Sequence, residues 1–147
     1  MTTMTTLNGS CHCGAVHVQL DPGKPAAELA LRACHCGFCR RQGARTTSDP
    51  ASRLHITAAP GALTRYRFGR RAVDFLICRE CACYVAAMIE DEGKAYATLN
   101  VVGTDLPGFE GREPERLDYH DETDEQRLVR RKAKWTPTTL VEAVPNA

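Results

Sequence analysis

Phe75-Leu76-Ile77-Cys78-Arg79-Glu80-Cys81-Ala82-Cys83-Tyr84-Val85-Ala86-Ala87-Met88-Ile89 is the stretch whose reading decides the fold. Two apolar runs, 73–78 and 84–89, flank a turn that carries Cys78-x-x-Cys81. The runs read as the two arms of a hairpin, and the turn between them aims two sulfurs at one point. Thiols at that spacing can converge on a tetrahedral ion with Zn–S distances of about 2.3 Å. They are poorly placed to bridge each other, because a disulfide demands its own Cβ–S–S–Cβ geometry.

Working outward, all eight cysteines fall in three clusters of this kind. The others are Cys11-His12-Cys13 and Cys34-His35-Cys36-Gly37-Phe38-Cys39. Eight thiols suffice for one four-cysteine site and a second site of three or four ligands. Read as a strand, Cys11 and Cys13 project to the same face, with His12 pointing away. Joined to Cys78 and Cys81 they give a closed four-thiolate site of the structural kind, although spacing alone does not fix which clusters pair. In the middle cluster Cys34 and Cys36 are a strand-like pair and Cys39 is a turn-spaced third ligand. Three thiolates leave a tetrahedral position open, which separates catalytic from structural zinc. Cys83 has three readings: the fourth ligand of the middle site, a displaceable ligand, or a spare buried thiol.

The rest of the chain between the clusters reads as short strands. Val16, Val18 and Leu20 alternate with His17 and Gln19. Asp21-Pro22-Gly23 and Pro60-Gly61 mark turns. Further strands are expected at 29–32, 54–57, 63–68 and 95–102, which makes the class mainly β. Residues 104–114 read as loop. A short C-terminal helix is expected over 123–134, opened by a Thr123/Gln126 capping box and closed by Pro137. Acidic residues in its first turn and basic ones in its last match the helix dipole. Its basic run reads as a solvated face rather than a nucleic-acid patch. The expected organisation is a disordered Thr-rich leader over 1–7, a zinc domain over 8–103, and an extension with the helix over 104–147.

At 147 residues the chain fits one domain able to bury a core. A net charge of +1 calls for neither nucleic acid nor an anionic membrane as partner. No apolar stretch reaches the roughly 18 residues of a membrane span, and Met1 to Leu7 lacks the features of a secretion signal. The expectation is a cytoplasmic protein with reduced thiols, which favours metal over a framework of disulfides. Among the histidines, His12, His17 and His55 read as surface or strand residues, His35 as a residue that could line the open site, and His120 as a weak acid–base candidate. There is no phosphate-binding Gly loop, no Gly-x-Ser-x-Gly elbow and no His-Glu-x-x-His motif. Cys78-x-x-Cys81 lacks the strand–helix context of a thioredoxin-like dithiol.

Gly9-Ser10-Cys11-His12-Cys13-Gly14-Ala15-Val16, then Cys34-His35-Cys36-x-x-Cys39-Arg40-Arg41, then Cys78-x-x-Cys81, resembles the glutathione-dependent formaldehyde-activating enzyme (GFA) family, or CENP-V/GFA domain. The resemblance covers about 8–102. It implies a β-tent of small antiparallel sheets around two zinc ions. It assigns Cys11, Cys13, Cys78 and Cys81 to a structural zinc, and Cys34, Cys36 and Cys39 to a second, active-site zinc. The activity it implies is condensation of formaldehyde with glutathione, classed as a carbon–sulfur lyase reaction, with a thiol and an aldehyde as small-molecule partners. Two departures stand out: Ala82-Cys83 where the family usually has Gly and a small residue, and an unfamiliar tail over 117–138. Arg40, Arg41 and Arg45 are candidate anchors for substrate carboxylates. The competing classes are a zinc-binding interaction module with both sites closed, and a thiol-redox or sulfur-donor protein.

Overall fold

The structure, a computed structural model, describes residues 5–142. Its order is β1 (Leu7–Ser10), β2 (Val16–Asp21), a 3-10 turn (Ala26–Glu28), β3 (Arg32–Cys34), α1 (Gly37–Gln42), β4 (Thr46–Thr47), β5 (Arg53–Ala58), β6 (Leu63–Tyr66), β7 (Asp74–Cys78), β8 (Tyr84–Asp91), β9 (Lys94–Asn100), β10 (Glu115–Leu117), α2 (Asp124–Lys134) and β11 (Thr136–Glu142). The chain is mainly β, with one short C-terminal helix. The leader expected over 1–7 lies partly outside the described residues, and β1 begins at Leu7. The last five residues of the expected extension also lie outside them. Among the described residues no helix is long and apolar enough to cross a membrane.

The strands run in the order β1-β2-β5-β11-β9-β4-β3-β10, with β6, β7 and β8 joined to β9 through β8. Most pairs are antiparallel. Two are parallel, β10 with β3 and β11 with β5. Both come from the C-terminal segment, which therefore belongs to the sheet: β11 sits between β5 and β9. The strand expected at 29–32 is displaced, because the 3-10 turn precedes it and pairing starts only at Arg32.

β8 divides the interior. Residues 84–89 are all buried and their side chains go two ways, alternating from Ala86 onward after a bulge at Val85, where the register with β7 shifts. Val85 and Met88 join Val16, Val18, Leu20, Leu54, Ile56, Leu76 and Leu99 in the main core. Tyr84, Ala87 and Ile89 face a smaller cluster with Cys39, Val73 and Phe75. Cys11 and Cys78 are part of the main core, whereas Cys34, Cys36 and Cys39 belong to the smaller cluster. One strand thus separates the two groups of thiols.

Candidate metal centres

The first group is assembled from two turns. The expected strand at Cys11 to Cys13 is a turn instead: the Gly14 N–H donates to the Cys11 carbonyl at 3.1 Å, and Gly14 has φ 83°. Glycine adopts that left-handed conformation without a Cβ penalty. The reversal lets the Val16 N–H donate to Cys11 Sγ at 3.3 Å. On the other side the Ala82 N–H donates to the Cys78 carbonyl at 2.8 Å, closing the turn of the β7–β8 hairpin. The Sγ atoms of Cys11, Cys13, Cys78 and Cys81 all lie within 4.8 Å of one another. Cys11 and Cys13 are 3.7 Å apart, and Cys13 and Cys78 are 3.6 Å apart. A tetrahedron with legs of about 2.3 Å has edges of about 3.8 Å, so the spacing is that of thiolates around one ion. It is far from the disulfide length of about 2.05 Å, and all eight cysteines are free.

The second group is built on a strand end and a helix start. Cys34 closes β3, Cys36 is the N-cap of α1, and Cys39 lies in its first turn. The Cys39 N–H donates to Cys36 Sγ at 3.4 Å and the Cys36 N–H to Cys34 Sγ at 3.5 Å. The three sulfurs lie within 4.8 Å of one another. Crowding splits their acidities. The Cys34 and Cys39 sulfurs bring Cys36 down to about 2, while the Cys34 and Cys36 sulfurs push Cys39 far up. Three thiolates this close repel one another unless a cation lies between them. Both groups could hold a metal ion.

Cys83 lies elsewhere. Its Sγ donates to the Gly103 carbonyl at 3.1 Å, and a Cβ at residue 103 would crowd it at the same distance. Burial, then the nearby Cys81 and Cys11, push this thiol up to about 11. Its sulfur belongs to neither group, and of the three readings of Cys83 the spare thiol matches this position.

A cavity of about 890 Å3 opens onto Cys34, Cys36 and Cys39. Phe68, Phe75 and Tyr84 form one wall. They belong to an aromatic stack in which Phe38 lies 4.6 Å from Phe75 and 5.1 Å from Tyr84. The Tyr84 hydroxyl is buried there without a hydrogen-bond partner. Burial, then the charge of the Cys39 and Cys34 sulfurs, keeps it protonated well above the usual phenol range. α2 also lines the cavity, contributing Arg127, Arg130, Arg131 and Lys134, with Trp135 just beyond it in sequence. These four basic residues stand at i, i+3, i+4 and i+7, one helical face. The basic run expected to be solvated therefore faces the cavity.

His35 and His120 line the cavity, whereas Arg40, Arg41 and Arg45 do not. All three arginines are exposed, and Arg45 Nη1 donates to the Arg112 carbonyl at 3.4 Å. His12 and His17 are exposed, and His55 bridges Thr139 at 2.7 Å and Asp21 at 3.2 Å near the surface. Sequence reasoning missed Tyr84 and the α2 face as parts of the site. The spacing of Arg127, Arg130, Arg131 and Lys134 marks one helical face in the sequence but not that it is the inward one.

The sequence profile of the family described as "Glutathione-dependent formaldehyde-activating enzyme" matches residues 6–117. A crystal structure of a Rhodobacter sphaeroides protein is similar, with a TM-score of 0.55 and 28% sequence identity over 75% of this chain and 99% of that one.

Proposed function

The chain belongs to the glutathione-dependent formaldehyde-activating enzyme family, and from that membership we propose that it is a zinc-dependent carbon–sulfur lyase joining a thiol such as glutathione to a formaldehyde-type aldehyde. The observation that carries this reading is the group of three sulfurs within 4.8 Å at the mouth of a cavity. Cys11, Cys13, Cys78 and Cys81 would hold one zinc for structure. Cys34, Cys36 and Cys39 would hold the second, and three protein ligands would leave room for a substrate. Cys83, engaged with Gly103, supports an open second site rather than an interaction module with both sites closed.

Bound at the three cysteines, zinc supplies a positive charge that favours a thiolate over a thiol and polarises a carbonyl. In the reaction a C–S bond forms between substrate thiolate and carbonyl carbon. The carbonyl π electrons move to oxygen, which takes up a proton, and the thiol proton has already left to solvent. Tyr84 keeps its buried hydroxyl beside the Cys39 sulfur, where it would help to orient that ligand. Phe68 and Phe75 exclude water from the same side, which strengthens each polar contact made there. Residues 8–103 carry both thiol groups, and residues between 115 and 135 of the extension line the cavity. A cytoplasmic location, where thiols stay reduced, fits eight free cysteines.

Two substitutions test the division of labour. Cys11→Ser should lower both solubility and melting temperature, since a structural zinc contributes folding free energy directly. Cys36→Ser should leave a folded protein that has lost second-site zinc and no longer accelerates S-hydroxymethyl adduct formation, followed by NMR exchange. Equal unfolding by both, or undiminished acceleration by Cys36→Ser, would overturn the reading.

A further inference from the structure

α2 is turned the unusual way round. A surface helix normally hides its apolar residues and exposes its charges. Here Leu128 and Val129 are 39% and 64% exposed, and no residue of the helix is fully buried. The arginine face is the one turned toward the cavity. Ion pairs hold the helix in this orientation: Lys132 with Asp91 at 2.7 Å, and Arg70 with Asp124.

The cationic side chains of this wall differ in what they already hold. Arg130 grips Glu122 at 2.9 Å and lies over the Tyr119 ring at 3.4 Å. Arg127 donates to the Tyr119 carbonyl at 2.9 Å. Arg32 donates to Ser48 Oγ at 2.7 Å. Lys134 is exposed to solvent, whereas Arg131 is half-buried: its Nε is shut off from solvent with no hydrogen-bond partner, and its guanidinium lies 5.4 Å from the Trp135 ring centroid. Nearby carboxylates do not satisfy it, because Glu122 and Asp124 are engaged by Arg130 and Arg70. A half-buried cation that lines the cavity without a counter-charge carries a desolvation cost, which an anion reaching the outer guanidinium nitrogens would relieve. Burial, then its neighbours Arg130 and Arg127, already press its acidity toward about 10, as expected of a cation lacking a counter-charge.

We propose that Arg131 is the anion anchor of this cavity, and that the substrate is an amphiphilic carboxylate whose apolar body packs on Phe68, Phe75 and Trp135. The guanidinium fork matches a carboxylate in plane and spacing. The cavity's volume of about 890 Å3 far exceeds what formaldehyde needs, so recognition falls on the larger partner. The inference rests on the cavity being the substrate site, yet it requires no turnover. α2 lies beyond the family-matched residues 6–117, so the anchor belongs to this chain's own tail.

Trp135 is the single tryptophan of the chain, so its fluorescence reports the cavity without a label. The zinc-loaded full chain is titrated with 3-phenylpropanoate and with the neutral 3-phenylpropan-1-ol. The carboxylate should bind at least about tenfold more tightly, the lower end for a charge-assisted hydrogen bond. Arg131→Gln should abolish that preference and leave alcohol binding unchanged, while Arg131→Lys retains part of it. Equal binding of acid and alcohol to the unaltered protein would overturn the proposal without reference to any variant. Full preference retained in folded Arg131→Gln would overturn it as well. Loss of adduct formation with the preference intact would refute the proposed reaction and uphold the anchor.

Discussion

Ala82 stands at φ 64°, a left-handed conformation that costs a residue with a Cβ about 1–2 kcal/mol. The position is imposed by the turn that swings Cys81 toward Cys13, so the strain is a consequence of building the first thiol group. Glycine would adopt the same conformation freely, at an unfolded-state entropy cost of about 0.5–1 kcal/mol. Ala82→Gly should therefore stabilise the fold by about 1 kcal/mol in urea unfolding; a loss of stability would show that the Ala82 methyl group makes a contact worth more than the strain. The same bend explains what could be read at this scale and what could not. Cysteine identity and spacing reveal groups that could hold metal, because few other uses suit thiols two and three residues apart. The direction in which Cys83 leaves the turn depends on a backbone angle that its neighbours in sequence do not announce. Likewise Cys11 and Cys13 look like a strand pair until Gly14 reverses the chain.

α2 was legible as a helix because its cap is written locally. Thr123 Oγ1 accepts from the Gln126 N–H at 3.1 Å, and Gln126 Oε1 accepts from the Thr123 N–H at 2.9 Å. Its inward face was not legible, since periodicity reveals two faces without saying which one meets the protein. β11 was hidden for another reason. Pro137 argues against a central strand, yet it falls in the short stretch paired with β9, ahead of the longer parallel pairing with β5. That pairing joins residues such as Thr138 and Leu54, and nothing local specifies it. Because no α2 residue is fully buried, the cap carries an unusual share of the helix's stability. Thr123→Ala should cost about 1 kcal/mol. It should also loosen the Arg131 wall, raising the anisotropy decay rate of Trp135. An unchanged unfolding midpoint would mean that the ion pairs to Asp91 and Arg70 suffice to hold the helix.

At the scale of the whole molecule, the proposed division of labour between the two thiol groups rests on β8, which places them in different surroundings. The four-cysteine group ties residue 13 to residue 78, closing a loop of 65 residues within the main core. Such closure costs roughly 4 kcal/mol of chain entropy. A structural zinc binding with about 10–16 kcal/mol exceeds that cost comfortably. The three-cysteine group lies outside that core, against aromatic side chains and an open cavity, where an exchangeable ligand can enter. The most direct test of this division is zinc K-edge absorption combined with metal analysis on the chelator-free protein. The account predicts two zinc equivalents sharing the seven clustered protein sulfurs, with one lighter ligand that is replaced by sulfur when glutathione is added. A single equivalent, or eight sulfurs before any thiol is added, would contradict it.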